Sequence, residues 1–297
     1  MKSRFPANRY FAIAPSTLNR LIDDWSYLDP IVADIGKPAL YFAYGIPVYR
    51  QIGHVNWFHL SNVSPFNIGR VPMPAIDYLR LPLLAWRFRR NLKHADVVSA
   101  ESRASLRLLG AVEPSKLFVS VNGSDDEIAA AATAPVAVPD DTAVVVGTYK
   151  YKALGDSYSL FQSLKARNPR LKMVVIGVAE NIPADIRQAG DVTCIGVLPR
   201  EAVVDYLKHA SFYISTTMLE NSYNAASEGV FLARESYVSD IPVHRELLGE
   251  ELQNIAPVPG VGMRLMHVRR SEISPTALKT WDQVIADMLD RAGIDVA

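Results

Sequence analysis

A single cysteine, Cys194, stands in a chain of 297 residues. An internal disulfide is therefore excluded, and the thiol content fits a reducing compartment. Charge of one sign is missing too: 31 Lys and Arg balance 31 Asp and Glu, so no basic surplus points to nucleic acid. No apolar run approaches the roughly 18–20 residues of a membrane span. The opening Met1-Lys2-Ser3-Arg4-Phe5-Pro6 is not followed by the apolar stretch of a signal peptide. The expectation is a soluble cytoplasmic protein. Catalytic signatures are also missing. Gly-x-Ser-x-Gly and His-Glu-x-x-His do not occur, and no Cys/His spacing suits a metal. Gly260-Val261-Gly262 lacks the third glycine of a dinucleotide fingerprint.

Apolar side chains make up 49% of the residues, enough to fill the cores of two ordinary domains. The second half alternates strands and helices. Ala143–Gly147, Leu171–Gly177, Val192–Gly196, Ser211–Ser215 and Ser236–Val238 read as short β-branched strands. Between them Tyr158–Arg167, Arg200–His209 and Asn224–Ala233 carry helical spacing. That alternation predicts an α/β fold with a doubly wound parallel sheet, whose ligand lies beyond the carboxyl ends of the strands. The first half is α/β but less regular. Strands are expected at residues 10–14, 39–43, 55–60, 96–100 and 117–121, with a long basic helix over 76–94. An Ala/Pro-rich stretch, 127–141, interrupts both patterns. The domain expectation is 1–135, then 136–275, then a terminal helix in 276–297.

The residues with chemical promise sit at strand ends. Thr216 to Gly229 holds Glu220 and Glu228, eight residues apart. Asn221, Ser222 and Asn224 suggest a loop that becomes a helix just after Glu220. A helix start has free N–H groups and attracts phosphate. One carboxylate before that anion site and another behind it suit a ligand with hydroxyls on both sides of a diphosphate, such as a nucleotide sugar. Gly147-Thr148-Tyr149-Lys150-Tyr151-Lys152 ends another strand with two lysines, which could stabilise a diphosphate leaving group or be plain solvated charges. His59 ends the strand 55–60 and could meet a sugar hydroxyl or move a proton, the alternative being a structural hydrogen bond. Ser239-Asp240-Ile241-Pro242-Val243-His244-Arg245-Glu246 reads as a turn, ion pair and cap. The helix from Arg80 to Lys93 mixes apolar residues with cations, as a helix lying on an anionic membrane does; an ordinary core helix with a basic face is the other reading.

In this order the landmarks resemble family-four retaining glycosyltransferases of GT-B fold, especially the bacterial polysaccharide and O-antigen types. They are Ala95–Ser102, Val121–Asp125, Val146-Gly147 with Lys150 and Lys152, Val175–Gly177, the Glu220/Glu228 pair and Ser239–Glu246. The resemblance implies two Rossmann-like domains facing a cleft, the N-terminal one reduced. It implies a donor site of Gly147, Thr148, Lys150, Asn221, Ser222, Tyr223, Asn224 and Glu228, with Glu228 on the ribose. Glu220, Lys152 and His59 would be the catalytic residues. The reaction would move a sugar from a nucleotide sugar to a glycan or lipid-linked saccharide, with retention. No cofactor or metal is implied, in keeping with the absence of any Asp-x-Asp triplet. The implied place is the cytoplasm, peripheral on the inner membrane face, with Trp57, Phe58, Phe66 and the basic helix toward acceptor and membrane. Two other readings share the fold: a silent relative that binds nucleotide sugars or scaffolds, and a sugar-nucleotide epimerase. The chain departs from the family in having no Gly-Gly or Gly-x-Gly turn before residue 100 and Thr148 where a cation usually follows the strand glycine.

Overall fold

The computed structural model describes residues 26–134, 140–222, 224–248, 255–256, 260–273 and 278–294. The strand expected at 10–14 lies outside the described residues, as does Tyr223. Two sheets form. In the first, β1 (Leu40–Tyr44), β2 (Val55–Leu60), β3 (Val97–Ala100) and β4 (Leu117–Val119) pair in sequence order, all parallel. The long helix Asp77–Asn91 turns Leu81, Ala85 and Phe88 onto this sheet. Phe88 joins Ala43, Phe58, Leu60, Val98 and Ala100 in one core, with Leu84 packed against it. Pro82 is the sixth residue of that helix, so the hydrogen bond to Tyr78 O is missing from its ladder.

The second sheet holds β5 (Asp140–Val146), β6 (Lys172–Ile176), β7 (Val192–Gly196), β8 (Ala210–Ser215), β9 (Glu235–Ser239), β10 (Ile255–Ala256) and β11 (Leu265–Arg269). Their spatial order is β10-β11-β9-β8-β5-β6-β7. Strands β5 to β9 are mutually parallel, and β11 and β10 add an antiparallel edge. Alternation sorts the side chains of this sheet to two faces. Val144, Val174 and Tyr213 pack beneath the helices Arg200–Lys208 and Asn224–Leu232. Ala143, Val145, Met173, Val175 and Ile214 pack beneath the helix Leu154–Lys165. Apolar runs without polar alternation are what a sheet covered on both faces requires.

The alanine-rich stretch is more ordered than its composition suggests. Residues Asp126–Thr133 form a helix whose Ile128 is buried with Val144 and Phe231 in the second sheet's core. Buried Arg270 ends this helix by donating to the carbonyls of Ala131 and Ala134 at 2.6 and 2.7 Å, a favourable place for a cation. The last helix, Trp281–Arg291, begins with a capping box on Thr280. It lies back against the first half: Ser124 N–H donates to Lys279 O at 2.8 Å. Gly123 permits that approach, because a Cβ there would stand 2.6 Å from Trp281 Cα. Among the described residues no helix is long and apolar enough to cross a membrane.

Gly229 tests the packing of the second sheet. It lies inside a helix, where alanine is normally better by about 1 kcal/mol, but its missing Cβ is the space taken by the Tyr213 ring. Gly229→Ala is expected to lose about 2 kcal/mol net in urea unfolding. Gly155→Ala, where nothing lies within 4 Å, is expected to be neutral or gain up to about 1 kcal/mol.

Candidate functional site

Strand β5 pairs with β6 on one side and β8 on the other, so the connections after β5 and β8 leave in opposite directions. The crevice between their carboxyl ends is where a doubly wound sheet binds ligands. After β5, Gly147 takes φ +91°, a conformation that favours glycine. A Cβ there would press to 3.2 Å from Lys152 Cε. The bare backbone lets the Lys152 stem lie across the strand end. A short turn, Lys150–Lys152, follows and closes on Ala153, which sits in the left-handed region at φ 46°. The loop after β8 holds this turn in place. Met218 N–H donates to Tyr151 O at 2.7 Å. Thr216 Oγ1 donates to the carbonyls of Lys152 and Ala153 at 3.0 and 2.9 Å. These bonds bring Lys152 Nζ onto Glu220 Oε1 as a half-buried ion pair. Lys152 also lies 5.6 Å from the centre of the Tyr151 ring. Burial, Glu220 and Tyr149 push the Tyr151 hydroxyl up to about 12, so it stays a neutral hydroxyl.

The residues after Glu220 reach across to the first sheet. Asn221 Nδ2 donates to Leu60 O at 3.1 Å, and Asn221 O accepts from Ser105 and Ser102 Oγ at 3.0 and 3.2 Å. Asn122 Nδ2 donates to Ser222 Oγ at 2.9 Å. Leu60 follows His59 and Asn221 follows Glu220, so these bonds bring the two candidate catalytic residues' segments together. Asn221 Oδ1 is buried without a hydrogen-bond partner among the described residues, an acceptor left for a ligand donor or water. Glu246 adds a second bridge by accepting from Arg103 and Ala104 N–H at 2.8 and 2.5 Å. It caps the helix Arg103–Arg107. Arg245 pairs both guanidinium arms with Asp240 at 2.6 and 2.9 Å, which holds the Asp240 carboxyl low. The run Ser239–Glu246 is thus turn, ion pair and cap. Buried His244 is pushed down to about 4 by burial, against its bond to Ser239 O and with Lys152 adding to the fall.

Glu228 is the fifth residue of the helix Asn224–Leu232. It is buried, and Arg200 Nη2 meets its Oε1 at 2.8 Å. The same guanidinium pairs with Asp125. Burial raises the Glu228 pKa and Arg200 offsets part of the rise. Burial opposes the charge on Arg200, yet Glu228 and Asp125 raise its pKa. A cavity of about 190 Å³ opens here, lined by Gly123, Asp125, Arg200, Ser227, Glu228 and Trp281. Another of about 400 Å³ continues along Glu127, Ile128, Val204 and Trp281. Trp281 is 43% exposed beside these cavities, an aromatic surface next to a carboxylate that could take ribose hydroxyls.

Across the cleft, His59 is buried at the end of β2. Its Nδ1 lies 2.8 Å from Ser99 Oγ, which accepts from Trp57 Nε1–H at 2.6 Å. Its Nε2 faces Glu101 Oε1 at 3.8 Å. The structure therefore groups the expected residues in three places. Lys152 and Glu220 are joined; Glu228 stands with Arg200 and Asp125; His59 stands with Ser99, Glu101 and Tyr44. Lys150 is exposed. Thr148 is buried, with its hydroxyl on Val178 O at 2.9 Å. Ser222 is buried next to the cleft, and Asn224 begins the helix. Among the described residues no group of three or more His, Cys, Asp or Glu side chains is placed to hold a metal ion.

One expectation needs correction. Trp57 and Phe58 are 0% and 1% exposed, so neither can face a membrane. They point to opposite faces of a strand that is covered on both. Phe66 packs on Phe88 with ring centres 6.1 Å apart. The exposed apolar side chains are instead Leu79, Leu83 and Trp86 of the basic helix. Arg200, Glu101 and Tyr44 were missed as site residues. For Glu101 the usable signal is its place immediately after the strand Val97–Ala100, where ligands of such sheets gather.

No protein-family model matches the chain, and no curated protein matches it. Solved structures do. One is a structure of trehalose-6-phosphate from E. coli bound with UDP-2-fluoro glucose, at TM-score 0.53 and 12% identity over 93% of this chain and 71% of that one. A second is an alpha,alpha-trehalose-phosphate synthase (UDP-forming) from Burkholderia vietnamiensis, at TM-score 0.50 and 14% identity over 74% of this chain. A third is a substituted S. aureus TarM in complex with fondaparinux, alpha-GlcNAc-glycerol and UDP, at TM-score 0.51 and 13% identity over 80% of this chain. The chain spans 63% of the Burkholderia structure's length and 43% of TarM's. The likeness shows the GT-B fold, with two α/β units facing each other across a cleft.

The Glu228 cluster makes a pH-dependent prediction. A carboxyl whose folded pKa is raised keeps a proton that the unfolded chain releases, so it costs stability as pH rises through that window. Arg200→Ala removes the offset and raises the folded value further. Its stability loss is expected to be on the order of 1 kcal/mol at pH 7.5 and smaller at pH 4.5. Urea unfolding at both pH values checks this; equal losses would show that Arg200 does not compensate Glu228.

Proposed function

We propose that the chain is a retaining glycosyltransferase that moves a sugar from a nucleotide sugar to a saccharide or lipid-linked saccharide acceptor in surface polysaccharide synthesis. One observation carries the reading: the Lys152–Glu220 pair lies at the switch point between β5 and β8, with buried Glu228 on the helix that follows. The likeness to structures bound with UDP or a UDP sugar supports the donor class.

In this reading the diphosphate lies over Gly147, and Lys152 takes up the negative charge that grows on it as the bond to the sugar breaks. Glu220 orients Lys152 and receives a sugar hydroxyl. The N–H groups of Ser222 to Asn224 hold sugar or phosphate oxygens. Glu228 takes the ribose hydroxyls, and Trp281 offers its ring to the base. An acceptor oxygen bonds to the anomeric carbon from the face the diphosphate leaves, and its proton passes to the departing phosphate oxygen. His59 donates its Nε2–H toward the sugar. The positive charge comes from Lys152, so no metal is required. The workplace is the cytoplasmic membrane face, where Leu79, Leu83 and Trp86 enter an anionic surface beside Arg80 and Arg90.

Lys152→Ala and Glu220→Ala should each lower kcat/KM by about 100-fold or more with little change in melting temperature. The donor for that assay comes from a thermal-shift screen of UDP-, GDP-, ADP- and dTDP-sugars, since a ligand bound only by the folded state raises its melting point. Full transfer activity in the Lys152→Ala, Glu220→Ala double variant would sink the assignment. For the membrane surface, co-sedimentation with vesicles containing anionic lipid should fall several-fold in Leu79→Ser, Trp86→Ser, while zwitterionic vesicles should bind neither protein.

A further inference from the structure

The cleft edge of the first sheet holds two residues beside His59, Tyr44 and Glu101, that the donor chemistry does not use. Register pairs Phe42 with Trp57, Tyr44 with His59 and His59 with Ser99. Glu101, just past the end of β3, comes to the same face through its contacts with Tyr44 and His59. At the carboxyl end of that face the Tyr44 ring stacks on His59, with centres 5.1 Å apart and planes at 7°. Its other side is open, the residue being 58% exposed. Glu101 is only 5% exposed, and its hydrogen bonding is poor. The Tyr44 hydroxyl donates to Oε1 at a long 3.4 Å, and His59 Nε2 stands 3.8 Å away. Among the described residues no other donor reaches this carboxylate. The Ser99 oxygen accepts from Trp57 Nε1–H and is hydrogen-bonded to His59 Nδ1. That bond fixes the imidazole with its Nε2 edge turned to Glu101.

A buried carboxylate with weak donors is costly unless a ligand completes its hydrogen bonds. Sugar hydroxyls do so, and the apolar C–H face of a sugar ring lies well on an exposed aromatic ring. An anionic sugar does neither, because its charge would meet Glu101 in a poorly solvated place. We infer that Tyr44 and Glu101 are the specificity element of an acceptor site for an uncharged saccharide: the ring stacks on Tyr44 and two neighbouring hydroxyls donate to Glu101. This rests on the glycosyltransferase reading. It deepens it by naming the acceptor's charge class and the residues that select it. His59, held by Ser99 and Trp57, keeps its Nε2 edge between that acceptor and the donor sugar.

Saturation-transfer NMR on the full chain tests the assignment with methyl α-glucoside, methyl α-mannoside, methyl β-galactoside and glucose 6-phosphate as probes. At least one methyl glycoside is expected to be saturated, and glucose 6-phosphate at least fivefold less. Tyr44→Ala and Glu101→Gln should each remove the glycoside signal, while Tyr44→Phe, which keeps the ring, should retain most of it. The nucleotide-sugar thermal shift should stay within twofold in apparent affinity in all three variants, which also shows that they are folded. The inference is overturned by a glycoside signal indifferent to Tyr44→Ala and Glu101→Gln, by glucose 6-phosphate binding as well as the glycosides, or by no glycoside binding at all. A wild-type chain that no nucleotide sugar stabilises overturns the transferase reading instead, and the saccharide signals still decide this one.

Discussion

The loop that carries Glu220 is held at both ends by bonds to other parts of the chain, and the geometry of the cleft depends on that restraint. On one side Thr216 and Met218 bind the turn that bears Lys152. On the other, Asn221 binds Leu60, Ser102 and Ser105 of the first domain. A loop free of either tie would let Glu220 leave Lys152, and each charge would then need another partner at that strand end. Hydrogen bonds from buried groups are costly to break without replacement. The Lys152–Glu220 site is therefore held in place by hydrogen bonds from both halves of the chain.

The two walls of the cleft differ in how their charges are satisfied. Around the second sheet the acidic groups of the site have close cations: Glu220 has Lys152, Glu228 and Asp125 share Arg200, and Asp240 has Arg245 and Arg264. A phosphate entering this wall can draw on cations already in place. In the first domain Glu101 has, among the described residues, a tyrosine hydroxyl and a histidine edge nearby. That wall suits hydroxyl donors. In the proposed reading the contrast gives the cleft a direction, with an anion-tolerant side for a nucleotide diphosphate and an anion-averse side for a neutral sugar.

Much of the second domain was legible because its signals are local. A run such as Ala143–Gly147 has too few polar residues to be half exposed, and the helices between strands carry their own periodicity. The Glu220/Glu228 spacing around a helix start could be read for the same reason. The first domain was harder. In β2 the run Trp57-Phe58-His59-Leu60 is buried along its whole length, so alternation disappears and an aromatic pair resembles a surface feature. The alanine-rich stretch 127–141 looked like a linker because alanine carries little periodic contrast. Its helix was decided by Ile128 finding the second core and by Arg270 closing its end.

Sequence by itself determined the fold class, the doubly wound half, the strand ends where ligands gather and the acidic pair around the helix start. These follow from patterns within a dozen residues. Tertiary structure decided which charges are compensated and which are not. Arg200 joins Glu228 to Asp125, and Glu101 lies beside His59 and Tyr44, through contacts between segments far apart in the chain. Local periodicity places a side chain on a face, but the cost of burying its charge depends on the partners that the folded chain brings to that face.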